Sequence, residues 1–440
     1  MSDSRLKESN IEWLGEIPKD WNLMPIKYGI KNSVSGDWGT DPLKKSNQKK
    51  CICLRVADFD FDKGIFKQNK YTIRAYSQEK INQLKLQSGD ILIEKSGGGE
   101  KQPVGRAVLF DKDFSAMFAN FLVRIRTNKL LVPSFLEYYL RALYYTGSTR
   151  LYFNQTTGIQ NLKVGTLLSN EKIPNISIAL QNNITNYLNK RCKKVDDIIA
   201  KVQQEITDLE EYRRSLIIQA VTKGLDKNIN VKHTEIPYLN NINRNWFITK
   251  IGYICTKLQR PIITNAMPLV CSNHGHVIPR PKTMVGKMVS EDNAMQGIKK
   301  GDIAIHGMDT WHGAIALSHL NGKITRVVHV CESSQDNRFI VYYLQALAYL
   351  GVYKLISYGV RGNTSDFRSW EKVKNIYIPI PTKKEQLIIC NYLDKKSDNI
   401  ESIIQKKQKL LNYLDKYKQS IIYEYVTGKK QVSSKESAKA

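Results

Sequence analysis

The sequence predicts an α+β protein with two β-rich globules and two long antiparallel helices, arranged as a pseudo-twofold internal repeat. Three observations lead there. Residues 174–222 recur 205 positions later as residues 379–427 without a gap, and 17 of the 49 positions are identical; so long a repeat marks a duplicated architecture. Each copy carries an apolar seam at steps of three and four, the signature of a helix packed on another helix. Each copy also follows a stretch of short β-rich segments punctuated by Gly and Asp turns.

The chain divides by sequence into a first globule, 1–175, a long helix, 176–227, a second globule, 228–379, a second long helix, 380–428, and a basic polar tail, 429–440, expected to be disordered. In the first globule, residues 52–56, 89–94, 104–110 and 121–126 read as strands. Pro133 opens a helix over 134–146, which carries Tyr138-Tyr139-Leu140. Proline suits a first helical turn, where its missing N–H has no partner to lose. The second globule repeats this order with less identity. Gly301-Asp302-Ile303 answers Gly89-Asp90-Ile91, and Tyr342-Tyr343-Leu344 answers the earlier Tyr-Tyr-Leu.

The first seam runs through Val195, Ile199, Val202, Ile206 and Leu209, with Arg213 as a break. The second runs through Ile400, Ile404, Leu411 and Leu414, with Lys407 and Lys418 as breaks. Neither helix hides such a seam alone, so the two are expected to pack on each other. Thr382-Lys383-Lys384-Glu385 has the form of a capping box, and Ser177 takes the matching place in copy one. Gly224 and Gly428 stand where a left-handed helix cap wants glycine. At about 1.5 Å per residue, such helices span roughly 65–70 Å.

Lys plus Arg number 67 against 41 Asp plus Glu, a formal charge of +26 over 440 residues. That excess suits a polyanion, and nucleic acid first of all. No stretch is apolar enough for a membrane span and no signal-peptide core is present, so a cytoplasmic protein is expected. Seven cysteines, an odd number, fit a reducing compartment. Diverged globules on conserved helices imply one shared task and two different ones. Two different DNA half-sites read across a rigid spacer satisfy that pattern, since half-sites on one face of a duplex lie about 34–36 Å apart per turn.

The motifs also carry a family resemblance. Ile11-Glu12-Trp13-Leu14-Gly15-Glu16-Ile17-Pro18 precedes Trp21, and Gly89-Asp90-Ile91 follows. Val221-Thr222-Lys223-Gly224-Leu225-Asp226 closes the first helix. Ile378-Pro379, Glu385-Gln386 and Asn391-Tyr392-Leu393 open the second. In this order the chain resembles the specificity subunit of type I restriction–modification systems over residues 11–428. The resemblance implies two target-recognition domains, each reading half of a bipartite double-stranded DNA sequence, separated by two conserved helices. It implies that the helices dock two modification (methyltransferase) subunits, and that restriction (endonuclease/translocase) subunits join the complex. Gln181, Tyr187, Leu188, Glu385, Gln386, Tyr392 and Leu393 are then candidates for docking or helix packing, together with the seam residues. The chain itself is expected to need no cofactor; S-adenosylmethionine, ATP and Mg²⁺ belong to the partner subunits. Leu180-Gln181 departs from the family's Glu-Gln, and residues 234–246 keep only Glu235-Ile236 and Trp246 of the opening motif.

Two loop pairs are candidates for DNA contact. The first is the loop 94–103, whose three glycines permit close backbone approach to a ligand; Lys95, Ser96, Gly97, Gly98, Lys101, Gln102 and nearby Arg106 are its candidates. It lacks the Gly-Lys-Ser/Thr ending of a nucleotide-binding loop. Its counterpart, 306–312, offers His306, Met308, Trp311 and His312. The second is the polar loop 154–161, with Gln155, Thr156, Thr157, Gln160 and Asn161, whose amides suit adenine. Its counterpart, 361–368, offers Arg361, Asn363, Thr364, Ser365 and Arg368, suited to guanine or phosphate. Plain polar turns are the alternative for all four. Cys271, His274 and His276 fall short of a four-ligand zinc set. Asp58, Asp60 and Asp62 imitate a calcium loop, but Lys63 and Asn69 stand where that loop needs glycine and a bidentate acid. No dinucleotide fingerprint, Walker motif, adenine-methylation motif or nuclease carboxylate cluster is found, so no catalytic residue is expected. A basic coiled-coil scaffold and a self-sufficient DNA-modifying enzyme are the competing readings.

Overall fold

The computed structural model describes residues 6–43, 47–61, 63–67, 70–156, 158–226, 228–262, 265–273, 275–281, 294–357 and 367–432. The protein is a mixed α+β chain that resolves into two compact units. One comprises Met1–Val202 with Lys409–Ala440, and the other Gln203–Gln408. Each long helix therefore gives about half of its length to each unit, a division that cuts across the two helical segments read from the sequence.

The first unit is built on an antiparallel sheet of β1 (Ile30–Ser35), β2 (Ile91–Glu94), β3 (Ala107–Leu109) and β4 (Leu122–Thr127), in the order β3-β2-β4-β1. All four residues of β2 are buried. Side chains alternate across a strand, so Ile91 and Ile93 enter one core while Leu92 enters a second on the opposite face. This is why the strand reads as an uninterrupted apolar run. Helix α1 (Pro133–Tyr145) packs on the first core, with proline in its first turn as expected. Helix α2 (Ile178–Lys223) brings its first half to the same core through Ile184, Leu188 and Val195.

The second unit repeats the plan. Its antiparallel sheet is β5 (Cys255–Lys257), β6 (Ile303–His306), β7 (Ile315–Leu317) and β8 (Val328–Ser333), in the order β7-β6-β8-β5. Ile303 and Ile305 face one core, and Ala304 the other. Helix α3 (Asn337–Tyr349) takes the place of α1, and α4 (Lys383–Val426) that of α2. A strand pair also recurs, Asn22–Pro25 with Lys172–Asn175 in one unit and Phe247–Lys250 with Tyr377–Ile380 in the other. So does a small hairpin, Leu6–Glu8 with Glu16–Pro18 and Val231–Lys232 with Ile242–Asn243.

The repeated motifs are sockets that join each globule to its helix. Tyr138 Oη donates to Asn189 Oδ1 at 2.8 Å, and Tyr342 Oη to Asp394 Oδ1 at 2.6 Å. Tyr139 Oη donates to the Lys172 carbonyl, and Tyr343 Oη to that of Tyr377. Gln181 is fully buried; its Oε1 accepts from the Val132 N–H and its Nε2 donates to the Leu130 and Ile176 carbonyls. Gln386, equally buried, accepts from the Asp336 N–H and donates to Pro381 and Gln335.

The two helices run antiparallel within each unit. In the first, Tyr187 stacks on Tyr425, with ring centroids 4.5 Å apart. All three seam breaks find an acid on the facing helix: Lys418 meets Asp196 at 2.6 Å, Arg213 meets Glu401 at 3.3 Å, and Lys407 pairs with Glu205. Gly224 and Gly428 adopt φ of +89° and +78°, as left-handed caps do. The capping box at α4 is only half formed. Thr382 Oγ1 accepts from the Glu385 N–H, but the Glu385 carboxylate accepts from Trp246 Nε1 instead.

Candidate nucleic-acid interface

The site of the first unit begins where β2 ends. Gly89, at φ +93°, turns the chain into the strand, and Asp90 fastens the turn by accepting from the Gln87 N–H. Asp90 also holds Arg126 side-on, at 2.6 and 2.8 Å. The strand then delivers Glu94, buried to 2% exposure, to the head of the glycine loop. Burial pushes the Glu94 carboxyl above the usual range, and Arg106 opposes that shift. Arg106 Nε and Nη2 lie 2.8 and 3.0 Å from the two carboxylate oxygens. The Arg106 guanidinium also lies over the Phe61 ring, 4.0 Å from its centroid.

The two loops selected from the first half of the sequence come together here. Ser96–Gly97 forms a short strand on Ile159–Leu162, which pairs in turn with Phe153–Thr156. Ser96 Oγ donates to Asn161 Oδ1 at 2.7 Å. Gln160 is buried and its Oε1 accepts from the Val104 N–H, so it staples the two loops together and is not free for a ligand. Lys95 Nζ reaches Ser35 Oγ at 3.2 Å. Lys101, Gln102, Gln155 and Asn161 are exposed. Beside them opens a cleft of about 950 Å³, lined by Glu94, Gly97, Gly98, Lys101, Arg106 and Phe121 among others. Gly98, at φ +64°, has no room for a Cβ, which would meet the Val104 N–H at 2.9 Å.

In the second unit the same strand position holds a different device. Gly301 again has φ +93°, and Asp302 again fastens its turn, accepting from the Lys299 N–H. Its arginine, Arg260, comes from the segment after β5 and binds at 2.7 Å through both Nε and Nη2. β6 then ends in His306, not an acid. His306 Nδ1 lies 3.2 Å from Asp309 Oδ2, and burial lowers the imidazole's pKa against the pull of that carboxylate. Trp311 is half-buried and donates to Ser357 Oγ, with Lys354 over its ring; His312 is exposed. Met308 is half-buried.

Here too the first predicted loop meets the end of the second, at Phe367–Arg368. The Phe367 N–H donates to the Gly307 carbonyl at 2.9 Å, and a Cβ on Gly307 would strike the Phe367–Arg368 backbone at 2.9 Å. Sequence reasoning missed His329 on β8. It is 2% exposed and its Nε2 lies 2.7 Å from the Phe367 carbonyl, tying down the end of the second loop. Only an alternation break in the strand, a histidine at a buried position, hinted at it. Arg368 is exposed. Arg361, Asn363, Thr364, Ser365, Thr157 and the side chain of Thr156 lie outside the described residues, as does His274.

Among the described residues no group of three or more His, Cys, Asp or Glu is placed to hold a metal ion. Burial pushes the Cys271 thiol up to about 12, and its sulfur faces the Ala304 carbonyl. Asp58 is taken by Arg55, and Asp60 caps the N–H of Lys63 in a turn. Most of the candidates for docking or packing turn inward: Tyr187, Leu188, Val195, Val202, Leu393, Ile400 and Ile404 are buried, and Ile199, Ile206, Leu209, Tyr392, Leu411 and Leu414 are half-buried. Gln181 and Gln386 are spent on the sockets, and Glu385 on Trp246. The apolar side chains the helices do expose are others, such as Ile198, Tyr212, Ile403, Leu410 and Tyr413. Among the described residues no helix is long and apolar enough to cross a membrane.

No family model matches the sequence. Over 460 aligned positions the chain is 22% identical to a curated protein named as the type I restriction enzyme MjaX specificity subunit, from Methanocaldococcus jannaschii. The alignment takes in 97% of this chain and 98% of that relative. Among solved structures, the fold is similar, with a TM-score of 0.67 and 14% identity, to a chain from work on complex assembly and conformational transition of the type I R-M system. That match covers 93% of this chain and 98% of the other.

Proposed function

We propose that this chain is the DNA-sequence-specificity subunit of a type I restriction–modification complex. One observation supports the reading most directly. Each unit presents, at the end of the same strand of the same sheet, a loop unlike its counterpart in composition, and the described part of a second candidate loop meets it. A common frame carrying two different loop sets is what reading two different half-sites requires. Exposed lysines and the +26 charge give sequence-independent affinity through phosphates, and the loops choose the bases.

In this reading the chain is not itself an enzyme. It forms a pseudo-twofold body of two target-recognition domains and two conserved helices, and it places partner subunits on a bipartite sequence. Two modification subunits, carrying S-adenosylmethionine, methylate adenine there, and restriction subunits, using ATP and Mg²⁺, cut. The chain binds no cofactor. The inward-turned seam leaves partner docking to the exposed apolar side chains of the helices.

A methylation map of genomic DNA tests this. Cells expressing the chain with its natural modification subunit are compared with cells lacking only the chain. A bipartite adenine-methylated motif that disappears with the chain is expected; a motif that persists refutes the reading. Exchanging residues 20–172 for those of a relative changes one half-site and leaves the other.

A further inference from the structure

We propose that Arg106 reads a guanine of the first half-site, with Glu94 and Phe61 holding its guanidinium in place. The inference rests on the specificity-subunit reading and names the base that one of its sites takes.

A guanidinium has five N–H donors in a fixed plane. Glu94 occupies the side edge, taking Nε at 2.8 Å and Nη2 at 3.0 Å. That leaves the end edge, with both hydrogens of Nη1 and the second hydrogen of Nη2. Among the described residues Nη1 has no hydrogen-bond partner, and Arg106 lines the cleft beside the glycine loop. Two parallel donors on that edge match the O6 and N7 acceptors of guanine in the major groove. Cytosine and adenine each present an amino donor in that groove, which an arginine cannot accept.

A phosphate would also accept two parallel hydrogen bonds, but the surroundings disfavour it. The Glu94–Arg106 pair is neutral as a whole, and the buried carboxylate repels an anion. The side chain is only 16% exposed and is clamped by a carboxylate on its edge and a ring on its face. A clamped fork suits base readout, where small displacements cost discrimination. Phosphate contacts fall to the exposed lysines at the rim, such as Lys101. Gly97 and Gly98 let the duplex come close at this point. The second unit has His306 and Asp309 at the matching strand end, so among the described residues no such fork stands there.

The test uses the complete complex with its modification subunits and the methylation motif of the wild-type chain. The half-site that changes when residues 20–172 are exchanged is the first. Arg106→Lys keeps the charge and loses the fork. Its expected effect is a motif relaxed at one G·C pair of the first half-site, with every other position unchanged. Discrimination at that pair falls roughly ten- to a hundredfold, the worth of a bidentate contact. A second measurement leaves the protein intact: 7-deazaguanine at that position removes N7 alone and weakens the wild-type complex. A first half-site without a G·C pair, an R106K motif identical to wild type, or indifference of the wild type to 7-deazaguanine overturns the inference and spares the specificity-subunit reading. Absence of any motif that depends on the chain overturns both.

Discussion

The Gln386 socket allows a prediction with a magnitude. The side chain is fully buried and makes three hydrogen bonds. In Gln386→Leu the Asp336 N–H and the Pro381 carbonyl lose their partners, while the Gln335 side chain, half-buried, turns to water. Each orphaned backbone group costs about 1–3 kcal/mol, and the added apolar burial returns about 1 kcal/mol. The net loss is about 3 kcal/mol. Gln181→Leu orphans three backbone groups and costs about 5 kcal/mol by the same arithmetic. The two glutamines lie in different units and share no partner, so their costs add. Urea unfolding, followed by tryptophan fluorescence, measures all three variants. A loss below ~1 kcal/mol for either single change, or a double mutant no worse than one single, refutes the socket argument.

At the helix seam, Asp196→Ala removes the carboxylate that meets the 6%-exposed Lys418 and costs about 1–2 kcal/mol after discounting for the partly exposed aspartate. Lys418→Met removes the charge from the seam and costs less, an asymmetry that denaturant midpoints detect. Gly307→Ala drives a Cβ into the Phe367–Arg368 backbone. It is expected to weaken discrimination at the second half-site and leave the first intact in a methylation map. His329 has its pKa lowered by burial, with Lys257 and His306 adding to the effect, the Phe367 carbonyl opposing it, and Trp370 against the ring. The unfolded chain therefore takes up a proton that the folded chain refuses as pH falls below about 6.5, and stability drops over that range. His329→Gln keeps a donor for Phe367 and flattens the decline, read from thermal midpoints between pH 7.5 and 5.5; an unchanged slope assigns the decline to other groups.

The helices were legible in the sequence because their physics is local and periodic. A seam of period 3.5, a proline or hydroxyl at the start and a glycine at the end are each visible within a few turns. The acids opposite Arg213, Lys407 and Lys418 were not, since nothing local sets the register of one helix on the other. The loops were legible as loops, but the pairing of residues 96–97 with 159–162 joins segments more than sixty positions apart. For the same reason Gln160, chosen for its amide, proved to be a staple, and Arg106, chosen for its place beside the glycine loop, proved to be clamped. The capping box failed by half because Trp246, 139 positions away, competes for the Glu385 carboxylate.

The two units differ in a pattern that the packing explains. Interactions touching the helices are kept: the buried glutamine, the first tyrosine on the helix and the second on the neighbouring strand occur in both units at matching positions. Interactions at the far end of the central strand are replaced, Glu94 with Arg106 in one unit and His306 with Asp309 in the other. Between them lies an intermediate zone. Asp90 and Asp302 are common to both, yet Arg126 reaches the first from β4 and Arg260 reaches the second from beyond β5. A buried carboxylate needs a cation, and either source supplies one. Within α1, the buried pair Glu137–Arg141 stands where α3 has Val341 and Gln345. Constraint therefore falls off with distance from the helix sockets, because a socket must fit a helix of fixed sequence while a strand end need only remain paired and packed. It follows that a recognition globule carrying an intact glutamine and tyrosine pair transplants with its loops, and that specificity can change at the strand ends without touching the cores beneath.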